Sequence, residues 1–190
     1  MSKQDIVITV IALVISGSGI FINLVKKAAT GACIQVKDRD SLLWFRILVP
    51  LALLTSLGFY FTKTGAGHFP PALMYAGCFF VVSGLFLRWF SILSLGSEFT
   101  VKVSILQDHR LKTDGVYRYI RHPSYTGLLI YYFGLGLMMQ NGLCIVLLVL
   151  IPAIAVVNRI RVEEQVLLEY FGERYSAYQQ QSRRLFPFLY

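Results

Sequence analysis

Paired cysteines, paired histidines and nucleotide-binding glycine motifs are all missing from this 190-residue chain, and each absence closes a class of function. Its three cysteines, Cys33, Cys78 and Cys144, are odd in number and widely spaced. That excludes a disulfide framework and a CxxC metal or redox motif, so they read as packing residues. Histidine is as scarce: His68, His109 and His122 stand alone, with no HExxH sequence, and no catalytic metal is expected. The only Gly-Leu-Gly, at 134–136, lies inside an apolar run with no strand before it, which argues against a Rossmann-type site. Charge is thin, at 15% of residues, with 18 basic side chains against 10 acidic ones. Asp5 precedes the first apolar run and no small-residue cleavage site follows it, so no signal peptide is expected.

Apolar residues fill the space that these absences leave. Hydrophobic types make up 56% of the chain and its mean hydropathy is +0.61, above the roughly half-apolar norm of globular domains. Five apolar runs carry most of this: Ile6 to Leu24, Leu42 to Phe61, Pro71 to Leu95, Gly127 to Met139 and Leu143 to Val157. The first three reach the roughly 20 residues that a spanning helix needs. The last two flank the turn dipeptide Asn141-Gly142 and read as a tight helical hairpin over 125–158.

Charge placement tests this count. With five spans and the N-terminus outside, only Lys3 and Lys63 of the 18 basic residues fall on the outer side, the asymmetry expected when positive charge stays in the cytoplasm. The expectation is an all-α, polytopic membrane protein with five transmembrane helices and a cytoplasmic C-terminus. Residues 1–95 would form a three-span N-terminal region, and residues 96–190 a region holding the hairpin, a cytoplasmic site and a C-terminal helix. The net charge of +8 then reflects topology and contact with anionic membrane lipids rather than nucleic acid.

The inner segments are Gly96 to Ser124 and Asn158 to Tyr190, and chemistry belongs there. In the first, Tyr117, Tyr119, Arg121, His122, Ser124 and Tyr125 sit directly against the fourth apolar run, with Pro123 suited to the first position of a helix. Tyr119 and Arg118 fit an interfacial anchor. His122 and the proline-fixed helix start do not need one, and a helix N-terminus there would offer N–H groups to an electron-rich ligand. In the second segment, Arg159 and Glu163 are four apart, with Glu164 adjacent. An exposed ion pair at that spacing contributes about 0.2–0.5 kcal/mol and needs no function. Ionisable residues at the rim of a membrane bundle equally suit polar-ligand binding, so both readings stay open.

The order Gly-Val-Tyr-Arg-Tyr-Ile-Arg-His-Pro-Ser-Tyr-Thr-Gly, an apolar hairpin, Arg159 with Glu163 and Glu164, then Phe-Gly-Glu-Arg-Tyr-Ser-Ala-Tyr and a terminal Arg-Leu-Phe-Pro resembles the isoprenylcysteine carboxyl methyltransferase family. The likeness covers about residues 93–188, including Leu-Gly-Ser-Glu-Phe-Thr and His-Arg-Leu-Lys-Thr-Asp-Gly. It implies a membrane enzyme that uses S-adenosylmethionine, releases S-adenosylhomocysteine, and takes a lipophilic acceptor, such as a prenylated cysteine, from the bilayer. Matched position by position, the cofactor-binding residues would be His109, Arg110, Leu111, Lys112, Tyr117, His122, Pro123, Ser124, Tyr125 and Glu163. Arg159 would hold the substrate, and Arg159 and Glu163 would be the catalytic pair. Leu111-Lys112 departs from the Leu-Val more usual in the family.

Elementary chemistry agrees with that implication. Methyl transfer from a sulfonium to an ionised carboxylate joins opposite charges and needs no general base, so the protein's task is positioning and exclusion of water. The planar fork of Arg159 suits a carboxylate, and tyrosine faces suit a cation. Two other enzyme readings share the architecture: a phospholipid N-methyltransferase, in which Arg159 would repel a protonated amine, and an NADPH-dependent reductase, for which the chain offers no further domain. A non-enzymatic membrane scaffold is the remaining alternative.

Overall fold

The computed structural model describes residues 3–27, 33–36, 40–65, 67, 69–96, 104–106 and 110–186. Its long helices follow the apolar runs: α1 (Lys3–Lys27), α2 (Asp40–Thr62), α3 (Ala72–Leu95), α4 (Pro123–Met138) and α5 (Gly142–Phe171), followed by the short α6 (Glu173–Gln181). Three of them, over Ser41–Thr62, Ala72–Leu95 and Gly142–Phe171, are long and apolar enough to cross a membrane, and Gln4–Ile15 is a shorter apolar stretch. At 16 residues, α4 falls below the roughly 20 of a straight span. Pro50 and Pro152 lie inside α2 and α5, where an apolar surrounding and neighbouring helices tolerate them.

The bundle is built around α4, with α3 packed on it most extensively and α5 also against it, while α2 packs on α5. A glycine seam explains the first contact. Gly77 meets Gly134, and Gly84 meets Gly127, so the two helices run antiparallel with backbones touching. A Cβ on Gly84 would stand 2.6 Å from the Gly127 carbonyl oxygen, and one on Gly77 would stand 2.6 Å from that of Gly134. Such close approach is how helices associate where lipid removes the hydrophobic drive between them. Outward-facing apolar side chains such as Phe79, Val82, Phe86 and Leu93 of α3, and Leu150 and Ile154 of α5, are left exposed.

Helix ends have local causes. Asn141 caps α5 by accepting from the backbone N–H groups of Leu143 and Cys144, as its place in the turn suggests. Gly172, at φ +55°, stops α5 and starts α6, a backbone conformation that a side chain would oppose. Cys144 donates to the Ser56 carbonyl at 3.2 Å, and the sulfurs of Cys78 and Met138 meet at 3.9 Å, so both thiols pack in the bundle.

One feature departs from the all-helical expectation. Cys33–Val36 (β1) pairs antiparallel with Ser104–Leu106 (β2), Cys33 opposite Leu106 and Val36 opposite Ser104. The strands are three and four residues long and about 70 positions apart, so neither carries enough alternation to be read alone. Together they tie the α1–α2 connection to the α3–α4 connection.

Candidate functional site

The start of α4 is held by the chain's C-terminal part. Arg121 N–H donates to the Arg183 carbonyl at 2.7 Å, His122 N–H to that of Arg184 at 3.1 Å, and Arg183 N–H to that of Tyr119 at 2.9 Å, a parallel strap of main chain. Thr126 Oγ1 adds a bond to the Leu185 carbonyl at 2.6 Å. Pro123 takes the first helical position as expected. The N–H groups expected to be free there are largely taken: the strap holds that of His122, proline has none, and those of Tyr125 and Thr126 donate to the His122 carbonyl at 3.1 Å. His122 precedes the helix without capping it, which leaves its imidazole to turn inward.

Around that imidazole the predicted residues converge. The rings of His122 and Tyr125 stack at 5.9 Å. His122 Nδ1 lies 3.9 Å from Glu163 Oε1, and Nε2 lies 3.5 Å from Glu164 Oε1. Tyr125 donates its hydroxyl proton to Glu163 Oε2 at 3.1 Å and accepts from Arg159 Nε at 3.4 Å. Arg159 and Glu163, spaced for an ion pair on α5, therefore meet at the hydroxyl of Tyr125 from α4. Arg159 is 3% exposed and also donates to Ser41 Oγ of α2 at 3.0 Å.

Behind this group lies a buried ionic knot that spacing did not reveal. Glu164 accepts from Arg121 Nε and Arg184 Nε, each at 2.8 Å. Arg121 and Glu164 are both almost fully buried, whereas Arg184 is about one third exposed. Arg121 also donates to the carbonyls of Gln179 and Ser182 and to Ser182 Oγ. Three separated stretches, before α4, within α5 and after α6, meet at one carboxylate. The adjacent pair Glu163-Glu164 splits its work: Glu164 faces the knot, and the half-buried Glu163 faces Tyr125 and His122.

The remaining predicted residues lie around this centre in different settings. Tyr117 is buried in the 3-10 turn Gly115–Arg118, donates to the Ser91 carbonyl at 3.1 Å, and accepts at its own carbonyl from the Tyr178 hydroxyl. Burial, with help from the negative charge of Glu163, holds its hydroxyl far above the ordinary tyrosine range. The Ser124 carbonyl accepts from Arg88 of α3 at 3.1 Å. Arg110, Leu111 and Lys112 precede the 3-10 turn with partial or full exposure, and Lys112 pairs with Asp114 at 2.9 Å, a hydrogen bond that lowers the Asp114 carboxyl's pKa. His109 falls outside the described residues.

Four buried side-chain polar atoms have no hydrogen-bond partner among the described residues: His122 Nε2, Arg88 Nε, the Tyr175 hydroxyl and Ser56 Oγ. The first three surround the start of α4. His122 is there itself, Arg88 reaches Ser124, and Tyr175 feels the charges of Glu164, Glu163 and Arg121. Native proteins pair nearly all such atoms, so these stand out among the buried polar groups. Arg184, Ser41, Arg88 and Tyr175 are residues that the sequence did not single out, and Arg121 and Glu164, though named in its two polar clusters, had no partner assigned. The Glu-Glu doublet and the terminal Arg-Arg were the available signals, but only folding pairs them.

The family profile of the isoprenylcysteine carboxyl methyltransferase (ICMT) family matches residues 76–169, from α3 almost to the end of α5. The chain is 39% identical over 110 residues to the protein-S-isoprenylcysteine O-methyltransferase of Tribolium castaneum, covering 57% of this chain and 39% of that protein. To the probable enzyme of that name from Oryza sativa subsp. indica it is 34% identical over 117 residues, covering 60% and 61% respectively. Among solved structures, the eukaryotic intramembrane Ras methyltransferase ICMT, determined without a monobody, matches with a TM-score of 0.64 at 35% identity, over 74% of this chain and 52% of that one. This chain thus aligns with roughly two fifths to three fifths of each relative's length. The matched residues contain His122, Tyr125, Arg159, Glu163 and Glu164, the residues that converge at the start of α4, and the protein is an integral membrane protein similar over that half of its length to the isoprenylcysteine carboxyl methyltransferase family.

Proposed function

We propose that the chain is an S-adenosylmethionine-dependent methyltransferase that esterifies the carboxylate of a C-terminal isoprenylcysteine, or of a similar lipophilic acid, at the cytoplasmic face of a five-span bundle. The relatives named above carry that activity in their names, and the observation that carries the reading here is the meeting of Arg159 and Glu163 at the Tyr125 hydroxyl beside His122.

The residues fit the cofactor. His122 Nε2 is buried 3.5 Å from Glu164 Oε1 and makes no hydrogen bond, Glu163 keeps a half-exposed carboxylate suited to an ammonium group, and Tyr125 and His122 present stacked ring faces suited to a cation. His122, Tyr125 and Glu163 would hold it, with Tyr117, Pro123, Ser124 and the segment His109 to Lys112 around them. When bound, S-adenosylmethionine supplies an electrophilic methyl group on a sulfonium.

Arg159 orients the acceptor. Its guanidinium is held by Ser41 and Tyr125, which fixes the orientation in which its planar fork would meet a carboxylate. Tyr125 couples that arginine to Glu163 and thereby sets the two halves of the site in register. The buried Glu164 knot fixes the backbone beneath, and the bundle excludes water, which contributes through orientation rather than proton transfer. Residues 96–190 supply most of this, residues 1–95 wall the bilayer side and add Ser41, and the lipid chain enters between helices. A protonated amine acceptor would face the charge of Arg159, which disfavours the N-methyltransferase alternative.

Calorimetry on the detergent-purified chain with S-adenosylmethionine and S-adenosylhomocysteine tests the cofactor. Binding that is lost in Glu163→Ala is expected, while NADPH should not bind. A well-folded sample that ignores both S-adenosyl ligands at millimolar concentration would remove the reading. Transfer of labelled methyl to a prenylcysteine, abolished in Arg159→Ala with S-adenosylhomocysteine affinity kept, tests the acceptor.

A further inference from the structure

Tyr175 and Tyr178 stand at i and i+3 on α6, both buried, with ring centroids 6.0 Å apart. Their hydroxyls differ. Tyr178 donates to the Tyr117 carbonyl, which fastens α6 to the 3-10 turn. Tyr175 is 1% exposed, among the most buried large side chains, and its hydroxyl has no hydrogen-bond partner among the described residues. Leaving such a hydroxyl unpaired costs stability, and phenylalanine would fill the same space without that cost. The fold therefore does not explain the oxygen.

Its surroundings do. The charges that act on the Tyr175 hydroxyl are those of Glu164, Glu163 and Arg121, the groups flanking His122. Glu164 is already taken by two arginines, and Arg121, one of them and the neighbour of His122, also donates to the carbonyls of Gln179 and Ser182 at the end of α6, which holds that helix against this side of the site. Tyr175 lies beyond residues 76–169, the span of the family profile, within the Phe-Gly-Glu-Arg-Tyr-Ser-Ala-Tyr stretch. We infer that Tyr175 is a ligand-binding residue whose hydroxyl hydrogen-bonds an amine or hydroxyl group of the S-adenosyl ligand, alongside Glu163 and His122. This rests on the cofactor reading above and adds α6 to the site.

The test uses the full chain in detergent micelles, with S-adenosylhomocysteine as the probe and two readouts: calorimetric affinity and the unfolding midpoint without ligand. Tyr175→Phe is expected to weaken affinity roughly five- to tenfold while leaving the ligand-free midpoint unchanged or raised. The ligand-induced rise in midpoint should shrink accordingly. Tyr178→Phe should instead lower the ligand-free midpoint, because it strands the Tyr117 carbonyl. Wild-type affinity in Tyr175→Phe, a lowered ligand-free midpoint, or failure of that variant to fold would each assign the hydroxyl to the fold and overturn the inference. If the wild-type chain does not bind the probe, the cofactor reading fails and takes this one with it; if it binds and Tyr175→Phe binds equally, only this one fails.

Discussion

Tyr125 and Glu163, 38 positions apart in the chain, share a 3.1 Å hydrogen bond in which the phenol donates to the carboxylate. The same phenol oxygen accepts from Arg159, so it links the two charged groups of the proposed site. Tyr125→Phe keeps the ring stacked on His122 and removes only this link. Methyl transfer to a prenylcysteine should fall about 10- to 100-fold in kcat/KM, as expected when positioned groups lose their register. The melting temperature should change little, and kinetics beside thermal unfolding check both halves of the expectation.

A larger structural effect is expected at Glu164. Replacing it by glutamine removes the charge that two arginines share, and Arg121 is nearly inaccessible to water. Breaking one partner out of a buried ion pair costs about 3–5 kcal/mol. Arg184→Ala should cost far less, because its side chain is about one third exposed. Unfolding midpoints of the two variants in the same detergent give the comparison, and equal losses would contradict the described burial.

The glycine seam makes a third prediction. Gly84→Ala and Gly127→Ala each place a methyl group 2.5–2.6 Å from the facing carbonyl oxygen, so α3 and α4 must separate. Both variants should lose stability markedly and lose ligand binding with it, because Arg88 of α3 would withdraw from Ser124. Gly58→Ala on α2, where nothing lies within 4 Å of the added methyl group, should be neutral or gain up to about 1 kcal/mol. Thermal unfolding of the three variants distinguishes close packing from a general intolerance of change.

Alkaline pH provides a fourth. Burial pushes the Tyr178 hydroxyl up to about 12, although Arg121 opposes the shift. A folded-state pKa above the unfolded value of about 10 means that the neutral form is favoured by the fold. Its contribution is complete below about pH 10 and is lost as pH rises towards about 12. The unfolding midpoint should therefore fall over that window, and Tyr178→Phe should flatten the decline while starting from a lower value at neutral pH.

Much of this was legible in the sequence because it depends on neighbours along the chain. Apolar runs of known length became α1 to α5, Asn141 became a cap, Pro123 opened α4, and Gly172 ended α5. The His122, Tyr125, Arg159 and Glu163 set was legible through its motif order, and the structure brings these four together. What spacing could not show was the partner of each group. The Arg159–Glu163 spacing suggested a surface ion pair, but the tyrosine hydroxyl between them comes from another helix. The doublet Glu163-Glu164 gave no hint that one member faces Tyr125 and His122 and the other an arginine knot.

The sequence by itself determined that the chain is built of apolar helices suited to a membrane and roughly where those helices begin and end, because hydropathy and capping act over a few residues. Tertiary structure alone decided that Glu164 joins Arg121 to Arg184, that glycines seven apart bring α3 onto α4, and that the buried Tyr175 hydroxyl has no hydrogen-bond partner among the described residues. Those are relations between surfaces that meet only after folding, and a buried charge or hydroxyl acquires its energetic meaning from what surrounds it once water has been removed.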